Sequence, residues 1–309
     1  AENRNAQQVR EITDKLEQGL KELFESERFK EYLKTMSKFY NYSFNNTLLI
    51  AMQKPDATLI AGYTAWQRNF DRHVMKGEKG IKIFAPAPYK VKEEHEKLDP
   101  VTQKPILDKD GKPVTETVEV TRPAFKLVSV FDVSQTDGKE LPDIAVDELT
   151  GSVENYAAFF DALKELSPVP IAFENITDGA KGYFSHVENR IAIQEGMSEI
   201  QTIKTAIHEI AHAKLHAVTP GEKVAPEDKK DRRTKEVEAE SVAYTVCQRY
   251  GIETSDYSFG YIAGWSSDKE TKELKGSLET IRKTAAEMIT GIDEKLKERL
   301  AVKEQEAPT

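Results

Sequence analysis

The segment running from Ser198 to Ala217 constrains this chain more than any other, because its spacing demands a helix and its side chains demand a use for that helix. Ser198 stands three residues before Gln201, the interval at which a hydroxyl and a side-chain amide satisfy the unpaired amides of a helix start. Ile203, Ile207, Ile210, Ala211 and Leu215 follow at i, i+4, i+7, i+8 and i+12, which is an apolar stripe of helical period. His208, Glu209 and His212 lie beside that stripe in the run His-Glu-Ile-Ala-His. Histidines four apart project from successive turns, so both imidazoles can reach one metal ion at about 2.0–2.1 Å. Glu209 sits about 100° further round, too far to join them as a ligand but placed to act as general base on a water. With six histidines in 309 residues, chance produces such a run in roughly one chain in a hundred.

A catalytic zinc site takes three protein ligands and keeps a fourth position open. His216 lies two turns past His208, about 12 Å along the axis, and no glycine between them breaks the helix. It is therefore excluded as a ligand and read as a rim or surface histidine. The better source is the next helical pattern, residues 235–250, whose apolar face is Ala239, Val242, Ala243, Val246, Cys247 and Tyr250. Glu236 and Glu240 edge that face one turn apart. Glu236 is the expected third ligand, and Glu240 is expected to accept a hydrogen bond from the outer nitrogen of a ligating histidine. Glu238 points elsewhere and is the weaker alternative; a merely solvated acidic edge is the competing reading. Tyr257 and Tyr261, in an aromatic stretch beyond, are candidate donors to a developing oxyanion.

The rest of the chain supports a two-domain α+β protein, with an N-terminal domain over 1–140 and a zincin-like domain over 144–305. Residues 5–39 carry apolar positions at helical spacing, and a short helix is expected over Asn45–Met52. A strand or turn leads into a helix across Thr58–Phe70, and His73–Val91 reads as a hairpin turning at Gly77–Gly80. The polar stretch 93–113 is a hairpin excursion; its Asp108-x-Asp110-Gly111 lacks the remaining ligands of a calcium loop. Two strands follow across Val114–Ser134, and 135–143 reads as a linker. Beyond it come a helix at about 152–166, a strand at 169–174, a hairpin over 182–194 and three or four helices. No run of apolar residues approaches the roughly 18 needed to span a membrane, and no apolar stretch near residue 1 reads as a secretory signal. One cysteine, Cys247, excludes an internal disulfide framework and a thiolate zinc cluster, so a reducing cytoplasmic setting is expected.

These residues resemble a known arrangement. The run His-Glu-Ile-Ala-His followed by Glu236-x-x-Ala239-Glu240 is similar to that of gluzincin metallopeptidases of the ImmA/IrrE type. Together with "YNYSFNNTLLIAMQ" and "GYTAWQRNFDRHVMKGEKGIKIFAPAPY", it resembles the ArdC-like antirestriction proteins of plasmids and conjugative elements. That resemblance implies an N-terminal single-stranded-DNA-binding domain joined to a C-terminal zinc metallopeptidase-like domain.

Charge agrees with such a division. The formal net charge of −9 arises in the second part, since residues 1–140 hold 23 basic and 22 acidic side chains against 21 and 31 in 141–309. Residues 36–90 hold eight Lys/Arg and three Asp/Glu, interleaved with nine aromatic rings. Cations that follow a backbone and rings that stack on bases are what sequence-tolerant single-strand binding uses; a core of aromatics with a solvated basic edge is the plainer alternative. Lys76 and Lys79, between Gly77 and Gly80, are the leading phosphate contacts, with Trp66, Arg68, Arg72 and Lys82 beside them. Two functions stand open at this point. One is a zinc endopeptidase acting on an unspecified protein and delivered by DNA binding; the other is a non-catalytic DNA-protecting protein whose zinc is structural or vestigial.

Overall fold

The computed structural model describes residues 2–141, 153–217 and 229–306. Three helices come first: α1 (Glu2–Leu23), α2 (Ser26–Lys38) and α3 (Phe44–Gln53). The Ser43 side chain caps α3 by accepting from the Asn46 amide. After β1 (Ile60–Gly62) and α4 (Tyr63–Phe70) come β2 (Arg72–Val74), β3 (Ile81–Pro86), β4 (Tyr89–Glu96), β5 (Thr115–Arg122), β6 (Phe125–Asp132) and β7 (Thr136–Gly138).

The expected hairpin between His73 and Val91 does not form. β3 pairs antiparallel with β6, which also pairs with β1, giving the order β1-β6-β3. β2 turns away to pair with β7 instead. The cause is local. Gln135 is buried, its side-chain amide donates to the Lys79 carbonyl and the Glu78 carboxylate, and its own carbonyl accepts from the Met75 amide. The turn between β2 and β3 is thereby fastened to residues 133–138. The linker expected at 135–143 is corrected by the same contact: Thr136 is buried in β7, and only residues 142 and 143 lie outside the described residues.

The far edge of β3 would offer unpaired backbone groups to other strands. α3 covers it with two carboxamides. Asn46 Nδ2 and Oδ1 bond the Phe84 carbonyl and amide at 2.8 and 2.9 Å, and Gln53 bonds the Lys82 carbonyl and amide, each at 2.9 Å. β4 and β5 form the expected excursion as a separate two-stranded ribbon. At its tip Asp108 accepts from the Asp110 and Lys112 amides, a turn-forming use for the carboxylate.

The second part begins with α5 (Val153–Leu166). β8 (Ile171–Glu174), β9 (Gly182–Ser185) and β10 (Arg190–Gln194) then form a sheet of order β8-β10-β9. β9 and β10 make the expected hairpin; β8 joins parallel to β10. α6 (Glu199–His216), α7 (Arg232–Arg249), α8 (Ile262–Ser267) and α9 (Thr271–Glu306) complete the fold. α6 is buried on nearly every face between Thr202 and Ala213. It lies between the sheet on one side and α7 on the other, which is why its apolar stripe is flanked by buried Lys204 and Glu209 rather than by a solvated face.

The larger core runs through both parts. Leu16, Leu20, Phe29, Leu33 and Met36 of α1 and α2 join Phe159, Val242, Val246, Ile281 and Ile289 in one continuous cluster. The Phe29 ring meets Phe259 edge-on at 5.2 Å, and Phe24 meets Trp265 at 5.9 Å. A smaller cluster of Phe39, Ile50, Ile60, Ile81, Ile83 and Val130 lies between α3 and the β1-β6-β3 sheet.

Candidate metal centre

α6 begins where its spacing requires, with the Ser198 hydroxyl accepting from the Gln201 amide at 3.2 Å. Ten residues on, His208 Nε2 and His212 Nε2 face each other across 3.1 Å. α7 opens on Asp231, whose carboxylate accepts from the Thr234 amide at 2.7 Å, and so presents Glu236 to the same point. Glu236 Oε2 is 3.7 Å from His208 Nε2 and 3.5 Å from His212 Nε2. Ligands at about 2.0–2.1 Å from a tetrahedral ion are about 3.3–3.4 Å from one another. The three atoms, all within 4.8 Å of one another, therefore fit a divalent cation without rebuilding.

The charges around them are arranged for that use. The adjoining histidine side chains, His208 first, hold the Glu236 carboxyl far below the usual carboxylate range against its partial burial. Burial alone would lower His208; Glu236, Glu209 and Glu240 outweigh it and raise the imidazole. Glu209 is nearly enclosed, and desolvation pushes its carboxyl up against the pull of the two histidines. β9 lies close over it: a Cβ on Gly182 would come within 2.6 Å of Thr205 Cγ2 and 2.9 Å of the Ala192 carbonyl. Beside the centre is a cavity of about 620 Å³ bordered by Tyr183, Phe184, Arg232, Lys235 and the three candidate ligands. A second, of about 310 Å³, adjoins His208 and Glu209 and is bordered by Lys181, Lys204, Glu240, Asp256 and Tyr257.

Three expectations need correction. His216 is no rim residue: it is buried, its Nδ1 lies 3.0 Å from His212 Nδ1 and its Nε2 lies 3.1 Å from Glu238 Oε2. Glu238 is fully buried and engaged by His216, Lys230 and Ser277, so it is not a ligand in reserve. Glu240 does not meet the outer nitrogen of a ligating histidine; it accepts from the Tyr261 hydroxyl at the cleft. The two tyrosines also separate. Tyr257 borders the smaller cavity, bonded toward Cys247 with its ring under the Lys204 ammonium, 5.0 Å from Nζ to the centroid, whereas Tyr261 bonds Glu240 and borders neither cavity. The signal for His216 was present in the sequence, since it is four residues from His212, and that is hydrogen-bonding distance on a helix.

The predicted DNA contacts divide as well. Lys76, Lys79, Lys82 and Arg68 are exposed. Gly77 is needed for its φ of +93°, and Gly80 because a Cβ there would lie 2.8 Å from Ser129 Cβ. Trp66 is completely buried and donates from Nε1 to the Phe131 carbonyl, so it packs the core and offers no face to a base. Arg72 is spent on β7, donating to the Thr136 hydroxyl and to the Thr136 and Lys139 carbonyls. Two rings of this window are open, Tyr63 at 52% and Tyr89 at 53% exposed; Tyr63 is set edge-on to Phe131 at 6.3 Å, and Phe131 is next but one to Ser129, the Lys82 partner, along β6.

A His-Glu-x-x-His helix completed by a glutamate from the following helix, against a small sheet, defines the second part as metallopeptidase-like. Family models agree in order and position: the N-terminal domain of anti-restriction factor ArdC matches residues 3–131, and an IrrE N-terminal-like peptidase domain matches 167–250. The chain belongs to the ArdC-like family. It is 30% identical over 94% of its length to the Bacillus anthracis protein pXO2-81, of which it spans 52%. It is 33% identical over 45% of its length to the DNA primase TraC of Escherichia coli, of which it spans 12%. Two crystal structures of the antirestriction protein ArdC of plasmid R388 are similar in fold. The metal-free one has 22% identity, covers 84% of this chain and 85% of that one, and gives a TM-score of 0.46. The Mn(II)-bound one has 18% identity, 82% and 85% coverage, and a TM-score of 0.48. Among the described residues no helix is long and apolar enough to cross a membrane.

Proposed function

We propose that this protein is a zinc-dependent endopeptidase coupled to a single-stranded-DNA-binding domain, acting in the cytoplasm in antirestriction during transfer of a mobile element. The observation that carries the catalytic part is the meeting of His208, His212 and Glu236 with the buried, proton-seeking carboxylate of Glu209 beside them. Two imidazoles and one carboxylate are the ligand set of catalytic zinc, and zinc held there would supply Lewis-acid polarisation of a peptide carbonyl and of a water. Glu209 takes the proton of the attacking water and passes it to the departing amine, a role its raised pKa suits. Tyr257, which borders the cavity beside His208 and Glu209, and Tyr261, which bonds Glu240 on the wall of that cavity, are the candidate donors to the oxyanion. Gly182–Ser185 and the two cavities border the space for an extended peptide.

On the DNA side, Lys76, Lys79, Lys82 and Arg68 would meet phosphates and Tyr63 would stack on a base. The test separates catalysis from shielding. Glu209→Gln should retain one zinc per chain and lose cleavage of an unfolded protein substrate. Hydrolysis that persists in that variant, or none by the zinc-loaded parent, sinks the catalytic reading. Lys76→Glu with Lys79→Glu should weaken binding of single-stranded oligonucleotides and flatten its dependence on salt; unchanged affinity and slope would remove the DNA assignment.

A further inference from the structure

α6 carries a third histidine that the chemistry above does not use. His216 is too far along the helix to touch a metal at His208 and close enough to touch the ligand His212. Its Nδ1 lies 3.0 Å from His212 Nδ1, and its Nε2 lies 3.1 Å from Glu238 Oε2. Glu238 has no exposed surface, yet its oxygens receive Lys230 Nζ at 2.7 and 2.8 Å and Ser277 Oγ at 2.9 Å. A carboxylate taken fully out of water is tolerated only when its lone pairs are occupied in this way.

The hydrogens in this chain can run in one direction only. An ionised carboxylate accepts and never donates, so His216 must carry its hydrogen on Nε2. Neutral His216 then has a lone pair on Nδ1, so the bond between the two Nδ1 atoms must be donated by His212. His212, with its hydrogen on Nδ1, is left with a lone pair on Nε2, the atom that faces His208 and Glu236.

We propose that His216 and Glu238 are positioning residues for the metal centre, holding His212 in the tautomer and ring orientation that can bind a cation. The inference rests on the reading of His208, His212 and Glu236 as a zinc site. α6 therefore supplies two ligands and the support of the second, and α7 supplies the third ligand, Glu236, and the anchor of that support, Glu238. The face of α7 decides the division: Glu236 looks into the centre, and Glu238, two residues on, looks into the protein beside α9.

The test compares zinc affinity, by competition with a chromophoric chelator, in the parent protein, His216→Asn and His216→Leu. Asparagine keeps an acceptor oxygen close to the place of Nδ1, and leucine keeps bulk without an acceptor. Leucine should weaken zinc binding about 10- to 100-fold, the usual effect of removing a ligand's hydrogen-bond partner, and asparagine should recover most of it. Equal affinity of both variants and the parent, within about twofold, overturns the proposal. NMR of the imidazole nitrogens in the metal-free parent gives a second readout that needs no variant to fold. Neutral His212 should hold its hydrogen on Nδ1; finding it on Nε2 overturns the proposal equally. A parent that binds no zinc would defeat the site reading instead, and the tautomer would still decide whether this chain of bonds exists.

Discussion

At the residue scale, Glu209 is a carboxyl whose burial works against its charged form. Its folded-state pKa is raised, chiefly by burial, so the stabilising balance present below the unfolded pKa is lost as pH rises through the folded one. Glu209→Gln should therefore raise the thermal midpoint of the metal-free protein at pH 7–8 and change it little near pH 4. A lower midpoint at neutral pH would mean that the carboxylate is a net stabiliser. Trp66 and Tyr63 make the complementary case. Truncating buried Trp66 to alanine should cost about 3–5 kcal/mol in denaturant unfolding. Tyr63→Ala should stay within about 0.5 kcal/mol of the parent while weakening oligonucleotide binding by about 1–3 kcal/mol. The reverse order would return Trp66 to the binding face. Both residues read alike in the sequence, as aromatics among cations, because burial depends on which strand the ring meets. His208 and His212 needed no such knowledge, since their geometry is local to one helix. His216 could be paired with His212 by spacing alone, but its other partner, Glu238, lies 22 residues on in α7 and shows only in the fold.

At the element scale, the closeness of β9 to α6 sets the depth of the cleft. The Ala192 carbonyl that would meet a Cβ on Gly182 is main chain and cannot rotate aside, so Gly182→Ala should destabilise the protein by about 1–3 kcal/mol. It should also loosen zinc binding, measured by the same chelator competition. An alanine variant with parental stability and affinity would show that the strand shifts freely. α3 makes a different point. Asn46→Ala strips the partners from the Phe84 amide and carbonyl, and leaving such groups unpaired costs about 1–3 kcal/mol. Urea midpoints should fall accordingly, and the exposed edge of β3 should favour self-association. The helices and the β9–β10 hairpin were legible because their signals are periodic and close in sequence. The pairing of β3 with β6 and the parallel seat of β8 were not. Each is decided by residues 20 to 49 positions away, and a glycine-flanked turn such as 76–80 looks the same whether it closes a hairpin or docks on a distant segment.

At the scale of the whole molecule, α1 and α2 complete the core of the part that holds the metal centre. Phe29→Ala, more than 170 residues from His208 in sequence, should lower the midpoint of zinc-site unfolding as well as that of the N-terminal helices, in one transition. The two tryptophans report this directly. Trp66 sits against the β1-β6-β3 sheet and Trp265 lies in the shared core, so single-tryptophan variants retaining one or the other should melt at coincident temperatures. Separate midpoints would show two independently folding bodies.

That shared core also has a history on the ribosome. α1 and α2 are made before the other helices of that core, and partners such as Phe259, Trp265 and Ile281 are added more than 220 residues later. At about 5–20 residues per second, that is on the order of tens of seconds of synthesis. Through most of it, the apolar face of the two finished helices has, within that core, only α3 to lie against, through contacts such as Tyr32 with Phe44. Nascent chains of this protein should accordingly hold chaperones longest on α1 and α2, and release them only after α9 begins to emerge.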